Sequence, residues 1–308
     1  MMSSIALIIP DRDLTPLVAA LQQRLPGVSI QQWPEIKQPE RVEFAVVWKQ
    51  PAGSLKGFPA LKAIQSYGAG VDSILRDPHL PAVPLSRIVD PKLAAAMIDY
   101  LDTVVAMYRL RLDLFAQQQR LGQWRPKGRR KLKQLCVLGL GELGKAVATH
   151  FAAAGFQVQG WARTPKAWTD VTTYSGEEGF AAAAADADLV ICLLPLTAAT
   201  EGYLNAQRLA QLKPGAILIN VARGAIVDDR ALLAALDQEQ LAAACLDVFQ
   251  QEPLPAEHPF WQHPKVTVTP HISAVTNIET AADQIAENYR RSQAALPLLH
   301  PVVLEQGY

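Results

Sequence analysis

The sequence predicts an α/β protein of two doubly wound parallel-sheet domains, the larger inserted into the smaller. Three observations carry this. Short apolar runs alternate with helical stretches along the chain, the βα rhythm of parallel sheets. A strand runs straight into Gly139-x-Gly141-x-x-Gly144, 138 residues in, too late for that domain to lead the chain. Only 37 residues follow His271, too few for a domain, so they return to the first one.

In chain order, residues 5–9 and 44–48 read as buried strands around an amphipathic helix at 14–25, and 61–64 as a third strand. Residues 94–119 read as one long helix with Met97, Leu101, Val104, Val105, Tyr108 and Leu112 as its apolar stripe. A strand at 135–138 opens the glycine motif. Ala146, Val147, Phe151 and Ala154 recur after it at helical spacing, Gly155 is the stop, and 157–161 is the next strand. Strands recur at 189–194, 216–221, 243–248 and 266–269. Helices intervene at 178–185, 205–212 and 229–237, the last capped by Asp228 or Asp229. A helix at 278–294 ends the pattern. The domain bounds that follow are 1–92 with 276–308, and 93–275.

Half of the 308 residues are hydrophobic, ample for two cores, and 19% are charged. Lys plus Arg and Asp plus Glu both total 29, so no global field recruits nucleic acid or an anionic membrane. The basic run at 125–133 reads as a solvated connector rather than an anion contact. No run of roughly 18 apolar residues occurs, and the N-terminal stretch lacks a basic segment and a cleavage pattern. Cys136, Cys192 and Cys245 fall in predicted buried strands without metal-ligand spacing. That usage fits small core residues in a reducing cytoplasm and implies neither a disulfide nor a metal site.

Gly139, Gly141 and Gly144 sit where a tight turn, a close backbone approach and tight helix–strand packing each exclude a Cβ. Between a strand and a helix, that pattern cradles the pyrophosphate of a dinucleotide. In units that bind NAD, an acid roughly 20 residues further on takes the ribose 2′-hydroxyl. Here the strand runs out into Ala162-Arg163-Thr164-Pro165-Lys166. A carboxylate would repel a 2′-phosphate, whereas Arg163 can bind one bidentately, so the expected cofactor is NADPH, with NADH possible.

Three later segments complete a constellation at strand ends. Arg223 follows a buried strand beside Gly224, Asp247 and Glu252 follow the next, and His271 follows Thr269-Pro270. Such positions form the mouth of the crevice in a doubly wound sheet. Together with residues 66–72, the glycine motif and residues 194–197, these segments (220–228, 247–253 and 269–274) resemble the D-isomer-specific 2-hydroxyacid dehydrogenase family, in its order and over nearly the whole chain. Within it the chain most resembles the A group of bacterial glyoxylate/hydroxypyruvate reductases, through Val47-Trp48, Gly160-Trp-Ala-Arg163, residues 247–255 and Gly307-Tyr308.

The resemblance implies a Rossmann cofactor domain inserted into a flavodoxin-like substrate domain, in a cytoplasmic homodimer formed around the cofactor domain. It implies cofactor contacts at Gly139, Gly141, Glu142, Leu143, Gly144, Arg163, Thr164, Pro195, Val221, Ala222, Asp247 and Ser273. Arg223, Glu252 and His271 become the catalytic set for reducing glyoxylate to glycolate and hydroxypyruvate to D-glycerate. The chemistry agrees. An arginine fork at 223 can span the carboxylate and ketone of a 2-keto acid. An imidazole, with an ordinary pKa of roughly 6.5, can give a proton to the forming alkoxide and take it back. Glu252 can hold the imidazole's other nitrogen. Backbone N–H groups of Ala69 and Gly70 are expected on the substrate carboxylate. Trp48 and Trp124 either wall the substrate pocket or pack between domains or subunits. Asp99 takes no role, and no metal is expected. Two alternatives stay open: a reductase of another small 2-keto acid, and a non-catalytic cofactor-sensing protein on the same fold.

Overall fold

The computed structural model describes residues 3–10, 12–168, 171–304 and 307; Tyr308 of the C-terminal Gly307-Tyr308 pair lies outside them. The chain divides into two compact units, Met1–Leu93 with Thr276–Tyr308, and Ala94–Val275. In the first, β1 (Ser4–Ile8), α1 (Thr15–Arg24), β2 (Ser29–Gln32), β3 (Val42–Val47), β4 (Ala63–Ser66), α2 (Asp72–Leu75) and β5 (Leu85–Ser86) follow in order. The sheet is parallel, ordered β2-β1-β3-β4-β5, the flavodoxin-like sequence. Central strands are buried on both faces, so they read as continuous apolar runs. In β1 and β3, Ile5, Leu7, Phe44 and Val46 join a core with Leu17 and Leu21 of α1, while Ala6, Ile8, Ala45 and Val47 join Leu55, Phe58 and Ile74 on the opposite face.

The second unit runs α3 (Pro91–Leu110), α4 (Leu112–Arg120), β6 (Gln134–Leu138), α5 (Glu142–Ala153), β7 (Gln157–Ala162), β8 (Thr172–Ser175), α6 (Gly176–Ala184), β9 (Leu189–Cys192), α7 (Ala206–Ala210), β10 (Ala216–Asn220), α8 (Asp229–Asp237), β11 (Leu241–Leu246) and β12 (Val266–Val268), with the first turn of α3 still in the first unit. Its parallel sheet is ordered β12-β11-β10-β9-β6-β7-β8. Chain order reverses between β6 and β9, the switch point where a doubly wound sheet opens a crevice beyond its carboxyl ends. Alternation again sorts the core. Leu135, Val137, Ile217 and Ile219 pack with Met97, Leu101 and Tyr108 of α3, and Cys136, Leu138 and Leu218 pack with Phe180, Leu232 and Leu236. The last helix, α9 (Ile278–Gln293), packs Ala281, Ile285 and Tyr289 into the first unit's core beside α1.

Two details depart from the sequence reading. The helix expected at 94–119 is two, because Arg111 takes a left-handed φ of 63° between α3 and α4. Leu112 therefore leaves the stripe and stands 51% exposed. Strands β2, β5 and β8 were not expected: two lie at sheet edges with polar residues, and β5 is two residues long. The three cysteines are free and buried, and burial pushes the thiols of Cys192 up to about 12 and Cys245 up to about 11. No helix among the described residues is long and apolar enough to cross a membrane.

Candidate active site

The glycine loop joins β6 to α5. Gly139 holds φ +101° and donates its N–H to the Trp161 carbonyl at 2.8 Å. A Cβ there would stand 2.6 Å from the Leu193 carbonyl oxygen, and one at Gly144 would run into the carbonyl oxygen of Gly139. A Cβ at Gly141 would meet nothing within 4 Å. The loop is thus packed tight below and open at its tip. Gly141 caps α5 without a side-chain hydrogen bond, which leaves the helix's first N–H groups to an outside acceptor. Gly141 and Glu142 are exposed and Leu143 half-buried. A floor closed to side chains under an open helix N-terminus fits a dinucleotide pyrophosphate.

Beyond β7 the chain turns outward with Arg163, Thr164 and Lys166 exposed. Its base is fixed: the Trp161 indole donates to the Gly176 carbonyl at 2.8 Å and stacks on Tyr203 with centroids 5.0 Å apart. The loop after β9 is tied at Pro195, whose carbonyl accepts from Thr200 Oγ1 at 2.6 Å. Both loops leave carboxyl ends of the sheet, as the glycine loop does.

After β10 the buried Asn220 braces the turn that carries Arg223. Its Nδ2 donates to the Arg223 carbonyl at 3.0 Å and its Oδ1 accepts from Ala222 N at 3.1 Å. Arg223 is extended, and its Nη1 donates to the Ala222 carbonyl at 2.7 Å. Gly224 lies so close to the Phe249–Gln250 peptide that any Cβ would collide with it. Val221 and Ala222 are buried.

The loops after β11 and β12 meet. Glu252 Oε2 lies 2.8 Å from His271 Nδ1, and Glu252 Oε1 accepts from Phe249 N at 3.2 Å. A carboxylate only accepts, so Nδ1 carries a proton and Nε2 is left for exchange. His271 adopts φ 55°, a left-handed conformation that a side-chain-bearing residue holds only when its surroundings impose it. The imposing group is Asp247, fully buried. Its carboxylate accepts from Thr269 Oγ1 at 2.6 Å, Ile272 N at 2.9 Å and Ser273 N at 2.9 Å, so the loop wraps around it. Any cofactor contact of Asp247 would add to those three. Behind it, Tyr100 Oη lies 2.7 Å from Thr269 Oγ1. Burial pushes the Tyr100 phenol well above its usual range, so it stays a donor.

Sequence reasoning gave Asn220 and Tyr100 no role. A polar amide closing an otherwise apolar strand was the available signal for Asn220; Tyr100 looks like one more member of a helix's apolar face. Trp48, Ala69 and Gly70 lie in the first unit, at the carboxyl ends of β3 and β4. Trp48 packs against Gly68, where a Cβ would run into its ring. Trp124 is 95% exposed. In the basic run, Arg130 pairs with Asp113 at 2.9 Å. Among the described residues no cluster of three or more His, Cys, Asp or Glu side chains could hold a metal ion.

A family model described as D-isomer specific 2-hydroxyacid dehydrogenase, NAD binding domain, matches residues 103–273. A protein of Yersinia enterocolitica named glyoxylate/hydroxypyruvate reductase A is 42% identical over 299 residues, covering 94% of this chain and 95% of that one. One of the same name from Serratia proteamaculans is 44% identical over 280 residues, covering 88% and 89%. The crystal structure of a D-isomer specific 2-hydroxyacid dehydrogenase from Xanthobacter autotrophicus Py2, in complex with NADPH and MES, matches with a TM-score of 0.94 at 39% identity over 100% of both chains. That of an NADPH-dependent glyoxylate/hydroxypyruvate reductase from Sinorhizobium meliloti, in complex with NADP and sulfate, matches at 0.91 and 32% identity, covering 99% of this chain and 100% of that one. With these relatives alike over nearly its full length, the chain belongs to the D-isomer-specific 2-hydroxyacid dehydrogenase family.

Proposed function

We propose that this chain is an NADPH-dependent reductase that converts glyoxylate to glycolate and hydroxypyruvate to D-glycerate. The observation that carries this is the Glu252–His271 pair, bonded at 2.8 Å on a loop whose backbone is held in a left-handed turn. NADPH, when bound, supplies the hydride that reaches the keto carbon. Gly139, Gly141, Glu142, Leu143 and Gly144 hold its pyrophosphate, and Arg163 with Thr164 its 2′-phosphate. Pro195, Val221, Ala222, Asp247 and Ser273 are assigned to the rest of the cofactor, directly or through the loops they hold. Arg223 binds the substrate carboxylate and polarises the ketone, and the Ala69 and Gly70 N–H groups share the carboxylate. His271 Nε2 gives its proton to the oxygen as the carbonyl becomes an alcohol, and Glu252 stabilises the charged imidazole before that transfer. Trp48 lines the substrate side. The larger unit is the cofactor domain and the smaller the substrate domain, and the working form is a cytoplasmic homodimer.

The test is direct. Purified protein with NADPH should consume the cofactor on adding glyoxylate or hydroxypyruvate, and the second should yield D-glycerate. Turnover confined to another 2-keto acid would replace the substrates. NADPH binding with no turnover of any 2-keto acid would leave a cofactor-sensing protein.

A further inference from the structure

The turn at 66–70 uses its polar groups unevenly. The Tyr67 N–H donates to the Val47 carbonyl at 3.0 Å, and the Gly68 carbonyl accepts from Ile88 N at 3.0 Å. The Tyr67 carbonyl accepts from Thr276 Oγ1 at 3.2 Å. Ser66, at the end of β4 and completely buried, handles two more: its Oγ accepts from Gly68 N at 3.2 Å and donates to the Gly70 carbonyl at 2.8 Å. The hydroxyl thereby closes the turn on itself. Behind Ser66 a buried network fixes the strand, with Gln65 Oε1 accepting from Ser86 Oγ and Asn288 Nδ2, each at 2.7 Å. In front, the Trp48 ring fills the space a side chain at Gly68 would need. Among the described residues, neither the Ala69 nor the Gly70 N–H donates a hydrogen bond. Ala69 and Gly70 are half-buried, and two neighbouring backbone donors left over in a turn whose other polar groups are held mark a place for an acceptor from outside.

We propose that Ser66 is a positioning residue for the substrate carboxylate: its hydroxyl ties up the Gly68 N–H and the Gly70 carbonyl, and so holds the Ala69 and Gly70 N–H groups as a preformed two-donor anion site. This rests on the reading of those two amides as carboxylate donors. The carboxylate is charged in the ground state and the transition state alike, so loosening its donors removes uniform binding. A loss appears in KM and spares kcat.

Ser66→Ala should raise the KM for glyoxylate on the order of tenfold, the scale of one hydrogen bond to a charged group, with kcat within about twofold and NADPH affinity unchanged. Amide hydrogen exchange over 67–71, read without substrate, should quicken. Ser66→Thr and Ser66→Val form a matched pair, equal in bulk and differing in the hydroxyl, and the Thr variant should keep the lower KM. Ala69→Pro deletes one donor whatever Ser66 does and should raise KM as well. If Ala69→Pro raises KM while Ser66→Ala does not, the role of Ser66 falls and the carboxylate site stands. If neither moves KM, both fall. A drop in kcat or NADPH affinity in Ser66→Ala, with KM unmoved, would make Ser66 merely structural and overturn the proposal.

Discussion

The loop after β12 and the loop after β7 are both functional by assignment, yet they are built in opposite ways. Around His271, Asp247 gathers three hydrogen bonds from residues 269–273, Tyr100 supports Thr269, and Glu252 takes the imidazole. The segment around Arg163 is short and exposed, and Thr173 Oγ1 ties it at the Lys166 carbonyl at 2.6 Å. The difference follows from what each loop does. Proton transfer needs an atom placed within a few tenths of an ångström, which takes buried, mutually satisfied partners. Discriminating a phosphate from a hydroxyl needs charge, which an exposed arginine fork supplies. Damage to the first loop should therefore show in kcat, and damage to the second in cofactor affinity.

The largest expected effect lies in the braced loop. His271→Gln removes the proton donor and should lower kcat by roughly 10²–10⁴-fold with NADPH affinity nearly intact. Near-normal glyoxylate reduction by this variant at neutral pH would break the assignment. Next comes the exposed loop. Arg163→Ala should raise the KM for NADPH by about 10- to 150-fold, the worth of a charge-assisted bidentate contact, and leave that for NADH almost unchanged. Equal losses for the two coenzymes would mean the loop does not read the 2′-phosphate.

The same contrast governs how much was legible in the sequence. The proposal for Arg163 comes from an absence, an acid that fails to appear at a fixed distance from Gly139. The positions of Arg223, Glu252 and His271 after apolar strands were legible, and the structure bonds two of the three together. The bracing was not. Asp247 was read as a cofactor contact because its position after β11 marks the crevice, and nothing local announces that three donors from residues 269–273 converge on it. Tyr100 lies 169 positions from the threonine it supports, a separation at which no periodicity in the sequence speaks. The break at Arg111 is of the same kind, since no glycine or proline marks it and only the left-handed φ shows it. Edge strands β2 and β8 failed for a simpler reason: half-exposed strands carry Gln and Thr where the reading sought apolar runs.

Tyr100→Phe sharpens the comparison at the back of the braced loop. Its phenol is one link in a chain that retains Thr269–Asp247, so the loss should be about 1 kcal/mol of stability and no more than about fivefold in kcat. Thermal unfolding and steady-state rates check it. A collapse of activity to the His271→Gln level would put Tyr100 in the chemistry itself.

The smallest change in rate is expected from Glu252→Gln. The glutamine can keep a hydrogen bond to His271 Nδ1 through its amide oxygen, so the ring stays oriented. What it loses is the charge on the acceptor, so kcat for glyoxylate reduction should fall by about twofold to threefold with NADPH affinity unchanged. Glu252→Ala removes the acceptor altogether and should cost roughly tenfold or more in kcat, because the ring is then no longer held in place. Steady-state rates of the two variants, measured side by side, check this. Equal losses in the two would show that holding the ring counts for nothing, and would reduce Glu252 to a hinge for the loop.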